Sequence, residues 1–163
     1  MIRSAIIIIA LVLAVGRLTA RRSRSGFLFP PVLPVTIRED SQGDGKFGAK
    51  RGSRSHQGVD LLVFEGQPIY TPIEGIVNRV SYPYANDSRY SGLEITGTGT
   101  YEGYTVKIFY LAPGAIGKAV KQGDSVGFAQ SISKKYGGGM QDHIHLELRH
   151  QGELMDPWPL LQV

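Results

Sequence analysis

Three of the four histidines in this sequence lie in two short clusters that carry the donor atoms of a zinc site. The first cluster contains His56 and Asp60, and the second, much later in the chain, contains His143 and His145. Zinc binds imidazole nitrogen and carboxylate oxygen, and a catalytic site uses three protein ligands and keeps a fourth position open. The sequence therefore predicts a zinc site made of His56, Asp60 and one histidine of the second cluster.

The second cluster lies on a predicted strand. Residues 143–149 alternate between polar and apolar, and residues two apart on a strand share a face, so His143 and His145 are predicted to point the same way. A single histidine on a strand is more often an ordinary polar residue than a ligand, so the prediction depends on both clusters together. His150 precedes a Gln-Gly turn signal and is predicted to be an exposed loop residue.

Residues 1–20 have the layout of a secretory signal peptide. Arg3 supplies positive charge, an unbroken apolar run covers residues 5–15, and Gly16 and Ala20 offer small residues for cleavage. A spanning helix needs about 20 apolar residues, and a signal anchor is the alternative interpretation. We therefore expect a secreted, extracellular protein with no membrane span after removal of the leader.

Composition excludes some classes of partner. Removing residues 1–20 leaves 16 of the 18 basic residues against 14 acidic ones, so the formal charge falls from +4 to +2. That charge, and the lack of a nucleic-acid motif, predict no nucleic-acid partner. The sequence has no cysteine, so the core is expected to form without disulfides. Asn86-Asp87-Ser88 is an N-glycosylation sequon, which predicts a surface loop and a glycan at Asn86.

From Phe47 onward the chain consists of short strand-like runs separated by glycine and proline, and helical periodicity is nearly missing. The runs cover residues 58–64, 68–72, 75–80, 93–96, 104–111, 125–128 and 143–149. This pattern predicts one all-β domain over residues 46–163, folded as a sandwich or barrel. Strands that carry metal ligands are expected to be central, because ligands need a rigid frame.

Two segments differ from this pattern. Residues 21–45, rich in Arg, Ser, Pro and Gly, are predicted to be an extended arm that packs on the domain and ends in a loose linker over residues 41–45. Residues 82–92 form a polar, tyrosine-rich insert between strands. The insert is either the rim of a binding site or an ordinary long loop whose tyrosines cover the edge of the sheet.

Several segments together resemble the lysostaphin-type zinc metallopeptidases, which cut peptide bridges in bacterial peptidoglycan. The resemblance covers residues 46–163 and rests on residues 55–60 (Ser-His-Gln-Gly-Val-Asp), 66–77, 121–127 and 143–145 (His-Ile-His). Within that fold the chain is most similar to the leukocyte cell-derived chemotaxin-2 family, on residues 54–60, 106–113 and 139–145. The resemblance implies an antiparallel β-sheet sandwich or barrel-like core.

The resemblance also assigns roles to residues. It implies that His56, Asp60 and His145 bind zinc and that His143 lies beside the open position. In the peptidases a further histidine faces the metal-bound water from a Tyr-x-His-Leu segment, and here Tyr110 holds that position in Ile-Phe-Tyr-Leu. Tyrosine can donate a hydrogen bond but is not a cation near neutral pH. We therefore expect vestigial or residual catalytic roles for Tyr110 and His143.

These observations favour a signalling protein over an efficient enzyme. The resemblance implies an extracellular, cytokine-like factor that acts on leukocytes or other cells through a cell-surface receptor, an extracellular protein or a glycan. The alternatives are a zinc metalloendopeptidase that cleaves peptidoglycan cross-bridges and a defence protein that binds bacterial cell walls. Chemotaxin-2 proteins carry structural disulfides and this chain has no cysteine, so their receptor-binding surfaces are not carried over to it.

Overall fold

The structure, a computed structural model, describes residues 27–161, so the predicted signal peptide lies outside the described residues. The described part of the chain contains fourteen β-strands, two 3-10 turns and no α-helix, and the predicted all-β fold is confirmed. The strands are β1 (Glu39–Asp40), β2 (Gly43–Asp44), β3 (Lys50–Arg51), β4 (Arg54–Ser55), β5 (Val59–Leu62), β6 (Pro68–Tyr70), β7 (Gly75–Ser81), β8 (Gly92–Gly97), β9 (Tyr104–Phe109), β10 (Leu111–Pro113), β11 (Ala119–Val120), β12 (Ser125–Ala129), β13 (His143–His150) and β14 (Glu153–Met155). The 3-10 turns are Gly99–Tyr101 and Trp158–Leu160. No helix among residues 27–161 has the length and apolar character needed to cross a bilayer.

A seven-stranded antiparallel sheet holds the second histidine cluster. Its strands follow the order β11-β7-β8-β9-β13-β14, and β5 pairs with the first half of β13. Ile144, Leu146 and Leu148 on β13 are fully buried, because alternate residues of a strand face opposite sides of the sheet. His143 and His145 alternate with them, so both histidines occupy the opposite face of the same strand.

A three-stranded antiparallel sheet, in the order β10-β12-β6, completes the core. Buried side chains of both sheets form a single hydrophobic cluster, which includes Ile69 of β6, Leu111 of β10 and Val126 of β12 as well as Ile95 and Val106 of the larger sheet. Burial of apolar surface stabilises such a core by about 25 cal/mol for each Å² removed from water. The two sheets therefore form a sandwich, as the strand pattern predicts.

The arm packs into this core from residue 27 onward. Leu28 and Val32 are fully buried. The backbone N–H of Leu28 donates to the carbonyl of Leu160 at 2.9 Å, and the N–H of Leu62 donates to the carbonyl of Thr36 at 2.9 Å. The second half of the arm thus runs beside β5, the strand that carries Asp60.

Residues 41–45 do not form the loose linker that the composition predicts. β1 and β2 pair in register, with Asp40 opposite Gly43. The Asp40 carboxylate accepts a hydrogen bond from the backbone N–H of Gln42 at 2.8 Å, and Gly43 has a φ of 125°, which glycine adopts without steric cost. An aspartate and a glycine three residues later make a tight hairpin here, so the end of the arm is an ordered turn.

Candidate metal centre

Strand pairing brings the two predicted clusters together. β5 and β13 pair antiparallel with Asp60 directly opposite His145, so their side chains share a face of the sheet. His56 lies just before β5, and Gly58 allows this segment to approach β13 closely. A Cβ atom at Gly58 would collide with the carbonyl oxygen of Leu146 and stand 3.0 Å from Cε1 of His145. The missing side chain at residue 58 thus helps to place His56 beside His145.

The donor atoms of His56, Asp60 and His145 form a compact triangle. His56 Nε2 lies 3.0 Å from Asp60 Oδ1 and 2.9 Å from His145 Nδ1, and His145 Nδ1 lies 2.9 Å from Asp60 Oδ1. Two nitrogens and one oxygen are a donor set that zinc accepts. Tetrahedral zinc with bonds of about 2.0–2.1 Å separates its ligand atoms by about 3.3 Å, so this triangle needs only a small expansion to hold the ion.

The outer nitrogens of the two imidazoles are already engaged. His56 Nδ1 donates to the carbonyl of Lys46 at 2.8 Å, and His145 Nε2 donates to the carboxylate of Glu147 at 3.3 Å. These contacts account for the hydrogens on the outer nitrogens, so the inner nitrogens are the ones that face a metal, as in metal-bound histidines. Three lone-pair atoms that face one another at these distances repel unless a proton or a cation lies among them. The described residues therefore fit a bound zinc ion.

Asp60 is held as a carboxylate. Burial alone would raise its pKa, but hydrogen bonds from His145 and His56 hold the pKa well below its usual range. Its second oxygen, Oδ2, accepts from Arg38 Nη2 at 3.1 Å and from Arg51 Nη2 at 3.3 Å. Burial alone would lower the pKa of His145, but its contacts with Asp60 and Glu147 raise it to about 8. The site thus attracts positive charge.

His143 lies beside the triangle without joining it. Its Nε2 is 3.8 Å from Asp60 Oδ1, and its Nδ1 donates to the carbonyl of Gln141 at 2.7 Å. Burial lowers the pKa of His143, so the ring is neutral and carries its lone pair on Nε2. The predicted positions of His143 and His145 on one face of a strand are both observed.

Tyr110 is in contact with His143. The two rings meet edge to face with centroids 5.2 Å apart, and Tyr110 adopts a left-handed backbone with a φ of 65°. Burial raises the pKa of Tyr110 to about 12, so the phenol is neutral. Its hydroxyl lies 3.2 Å from that of Tyr84, which lies 3.0 Å from that of Tyr136. The phenol of Tyr110 therefore stands where the resemblance implies a histidine, and it is the first of a row of three phenols.

These groups line one cleft of about 1000 Å³. We call His56, Asp60 and His145 the metal face of the cleft, and Tyr84, Tyr110 and Tyr136 its tyrosine face. The tyrosine-rich insert contributes Tyr82, Pro83 and Tyr84 to the lining. The insert therefore forms part of the rim of this site and not merely a cover for the sheet edge.

Some functional residues are not evident from the sequence. Arg38 and Lys46 contact the ligand side chains but come from the arm and from the residue that follows its linker, where the sequence gives no signal for a site. Glu147 could have been found, because it lies two residues after His145 on the same strand face. The prediction for His150 is wrong: it is the last residue of β13, it is half-buried, and its ring stacks on Tyr104 with centroids 4.2 Å apart.

The chain is similar to proteins of known family. A profile described as peptidase family M23 matches residues 54–157. Leukocyte cell-derived chemotaxin-2 of Bos taurus is 34% identical over 119 residues, which cover 72% of this chain and 74% of that protein. The solved structure of the antimicrobial peptidase lysostaphin from Staphylococcus simulans has a TM-score of 0.59 at 16% identity and covers 83% of this chain and 54% of that chain. A zinc-containing peptidase from Vibrio cholerae has a TM-score of 0.53 at 20% identity, covering 80% and 38%. The two solved structures show the shared fold.

Proposed function

We propose that this chain, which belongs to peptidase family M23 and to the leukocyte cell-derived chemotaxin-2 family, is a secreted zinc-binding signalling protein whose peptidase-like catalytic site is incomplete. One observation carries the proposal: a full set of metal donors faces a neutral phenol, that of Tyr110, within the same cleft. The first half of that contrast supports metal binding, and the second half argues against efficient turnover.

The metal face supports a site with three protein ligands, His56, Asp60 and His145. Zinc bound there would lower the pKa of a coordinated water to about 7. It would also join residues 56–60 to residue 145, which are distant in the sequence. Because a ligand that binds only the folded state stabilises it, zinc would add to the stability of a chain that has no disulfide.

The tyrosine face supports the loss of turnover. The hydroxyl of Tyr110 can donate a hydrogen bond, but with a pKa of about 12 it stays neutral throughout the physiological range. It is also engaged with Tyr84 at 3.2 Å. Loss of a general acid or an electrostatic stabiliser typically lowers a rate by about 10² to 10⁴. The chain can therefore keep its metal while losing the function of the enzyme.

A zinc metalloendopeptidase acting on peptidoglycan cross-bridges is the second candidate. His143 favours it, because the Nε2 of this neutral ring lies 3.8 Å from Asp60 Oδ1 and can accept a proton beside the metal face. A single histidine of this kind would support slow hydrolysis. The rate of peptide hydrolysis therefore distinguishes the signalling protein from the peptidase.

We propose an extracellular partner, either a cell-surface receptor or another extracellular protein or glycan, in keeping with the name of the chemotaxin relatives. Asn86 lies in a turn, and both Asn86 and Ser88 are exposed, so the sequon is accessible to glycosylation.

Secretion is tested by sequencing the N-terminus of protein recovered from culture medium. We expect it to begin after residue 16 or 20, and retention in the membrane pellet would favour an anchor instead.

Zinc content of the purified chain, measured by elemental mass spectrometry beside a glycine-bridge peptide cleavage assay, tests the main proposal. We expect one zinc per chain and no efficient cleavage. Zinc with fast cleavage would establish the peptidase and overturn the signalling proposal. Folded protein that contains no zinc after purification in zinc-containing buffer would overturn the metal site. Binding to purified bacterial cell walls without either cleavage or action on cells would favour the defence protein.

A further inference from the structure

A buried arginine from the arm lies behind the metal face. Arg38 is 2% exposed although it carries a charge. Its backbone N–H donates to the carbonyl of Asp60 at 2.9 Å, and its own carbonyl accepts from the N–H of Gly45 at 2.8 Å. Both sides of the Arg38 backbone are thus tied to the strand that carries Asp60 and to the hairpin before it. These two hydrogen bonds therefore fix the position of the Arg38 backbone, from which the side chain extends.

The guanidinium of Arg38 is fixed as tightly as its backbone. Nε and Nη2 both donate to Oδ2 of Asp60, at 3.2 and 3.1 Å, and Nη1 donates to Oδ1 of Asp40 at 2.5 Å. Asp40 in turn accepts from the backbone N–H of Gln141, two residues before His143. The planar fork of arginine suits such a set of contacts, because its donors keep a fixed geometry. Arg38 therefore links the arm, Asp60 and the segment leading into β13.

These contacts divide the two oxygens of Asp60 between two tasks. Oδ2 is occupied by Arg38, while Oδ1 faces His56 Nε2 at 3.0 Å and His145 Nδ1 at 2.9 Å. A carboxylate free to rotate would spread its population over orientations in which neither oxygen completes the triangle. Holding Oδ2 restricts Asp60 to presenting a single oxygen to the site.

We propose that Arg38 is a positioning residue that orients Asp60 as a one-oxygen ligand and so raises the zinc affinity of the site. The inference rests on the zinc site of the proposed function and adds the arm to it. It opposes the simple electrostatic expectation, in which a buried cation near the metal weakens the binding of another cation. The two expectations predict changes of opposite sign when Arg38 is replaced.

Arg51 provides a matched control. It also donates to Oδ2 of Asp60, at 3.3 Å, and carries the same charge. Its side chain is 25% exposed, and its other hydrogen bond goes to the carbonyl of Asp44 and not to a carboxylate. Removal of Arg51 therefore reports mainly on charge near the site, whereas removal of Arg38 reports on charge and orientation together.

The test is the zinc dissociation constant of the purified chain, measured by competition with a chromophoric chelator, for the unmodified protein and for Arg38→Met, Arg38→Lys and Arg51→Met. Replacing groups that orient metal ligands typically lowers metal affinity by about 10- to 100-fold, and we expect that loss for Arg38→Met. Arg38→Lys keeps the charge but not the fork, and we expect a loss of about 10-fold. For Arg51→Met we expect a change within about 3-fold or a gain in affinity.

Thermal melting of each metal-free variant separates positioning from stability. A purely structural role would lower the melting temperature of the metal-free Arg38 variants and leave the zinc dissociation constant of the folded protein unchanged, and that result would overturn the inference. Unchanged or tighter zinc binding by Arg38→Lys would overturn it even if Arg38→Met fails to fold. If Arg38→Lys also fails to fold, Asp40→Ala removes the acceptor of Nη1 while keeping Arg38. A loss of several-fold in affinity for Asp40→Ala would support the inference, and no loss would overturn it. Failure of the unmodified chain to bind zinc would instead overturn the proposed function.

Discussion

The metal face and the tyrosine face of the cleft differ in the chemistry of their side chains. On the metal face, three donor atoms converge within 3.0 Å of one another, and each imidazole is oriented by an acceptor on its outer nitrogen. On the tyrosine face, Tyr110 contacts His143, but its hydroxyl is neutral and is paired with the hydroxyl of Tyr84. One face is arranged for binding a cation, and the other lacks a group that changes charge near neutral pH.

Metal binding and turnover therefore have separate requirements in this cleft. Binding needs donors that are fixed in the right tautomer, which the strand pairing of Asp60 with His145 provides. Turnover also needs a group that transfers a proton near neutral pH, and a phenol with a pKa of about 12 does this poorly. On the proposed function, a change at the single position 110 removes efficient turnover and leaves the metal donors in place.

The largest expected effect comes from breaking the metal face. His56→Ala removes one of three ligands, and we expect it to abolish stoichiometric zinc, as measured by elemental mass spectrometry. If free zinc is 1,000 times the dissociation constant, loss of binding removes about 4 kcal/mol of stability by mass action. The melting temperature should therefore fall in zinc buffer and change much less in chelator.

His150→Ala is the matched control for that experiment. It also removes a histidine that is at least half-buried, but this ring, at the end of β13, stacks on Tyr104, away from the metal face. We expect full zinc content in this variant. Unchanged zinc content in His56→Ala would contradict the assignment of the metal face, whatever its effect on stability.

The tyrosine face is tested by restoring what it lacks. Tyr110→His would place a second titratable ring beside His143, and we expect hydrolysis of glycine-rich bridge peptides to rise by about 10² to 10⁴ over the unmodified chain. Histidine is among the residues more often found with positive φ, so it suits the backbone at position 110, where φ is 65°. The measurement is kcat/KM at equal zinc content.

Tyr110→Phe is the control that separates loss of the hydroxyl from gain of a titratable ring. It keeps the aromatic contact with His143 and removes the hydroxyl, so we expect no gain in hydrolysis. Equal gains in both variants would show that the hydroxyl row merely obstructs the cleft. High activity in the unmodified chain would contradict the comparison of the two faces altogether.

A smaller effect is expected at Gly58, which allows the segment that holds His56 to lie close to β13. In Gly58→Ala the new Cβ would meet the carbonyl oxygen of Leu146, and such overpacking costs about 1–3 kcal/mol. We expect lower stability in chemical denaturation together with weaker zinc binding. Gly114→Ala is the control, because the nearest atoms to its Cβ stand at 3.8 Å, and we expect it to bind zinc normally. Equal zinc affinity in both variants would show that residue 58 has no part in placing His56.

Local signals predict that His56, Asp60 and one histidine of the second cluster lie together, and the resemblance, not a local signal, selects His145 over His143. His56 and Asp60 are separated by a few residues, and alternation along residues 143–149 places His143 and His145 on one face. The short strands between glycines and prolines likewise predict a β-sandwich or barrel, and the structure shows the sandwich. What the sequence does not contain is the pairing of β5 with β13, because strands far apart in a chain can pair in many orders and registers.

The contacts of Arg38, in contrast, could not be predicted from the sequence. It lies in an arm whose composition predicts an extended segment, and a lone arginine there has no periodic signal. Its function depends on contacts with Asp60 and Asp40 that only the folded chain brings together. Similarly, Asp40 and Gly43 convert the predicted loose linker into a hairpin, because the Asp40 carboxylate accepts from the backbone N–H of Gln42 and glycine tolerates positive φ.

The smallest effect concerns the row of hydroxyls on the tyrosine face. A double-mutant cycle of Tyr84→Phe and Tyr136→Phe measures their coupling, and we expect about 0.5–1.5 kcal/mol from urea denaturation, because a single hydrogen bond contributes that little net stability. Zinc content should be unchanged in all three variants, since these hydroxyls contact none of the metal donors directly. A coupling well above this range, or a loss of zinc, would mean that the tyrosine face supports the metal face. The two faces would then be one cooperative unit, and the separation of binding from turnover would not hold.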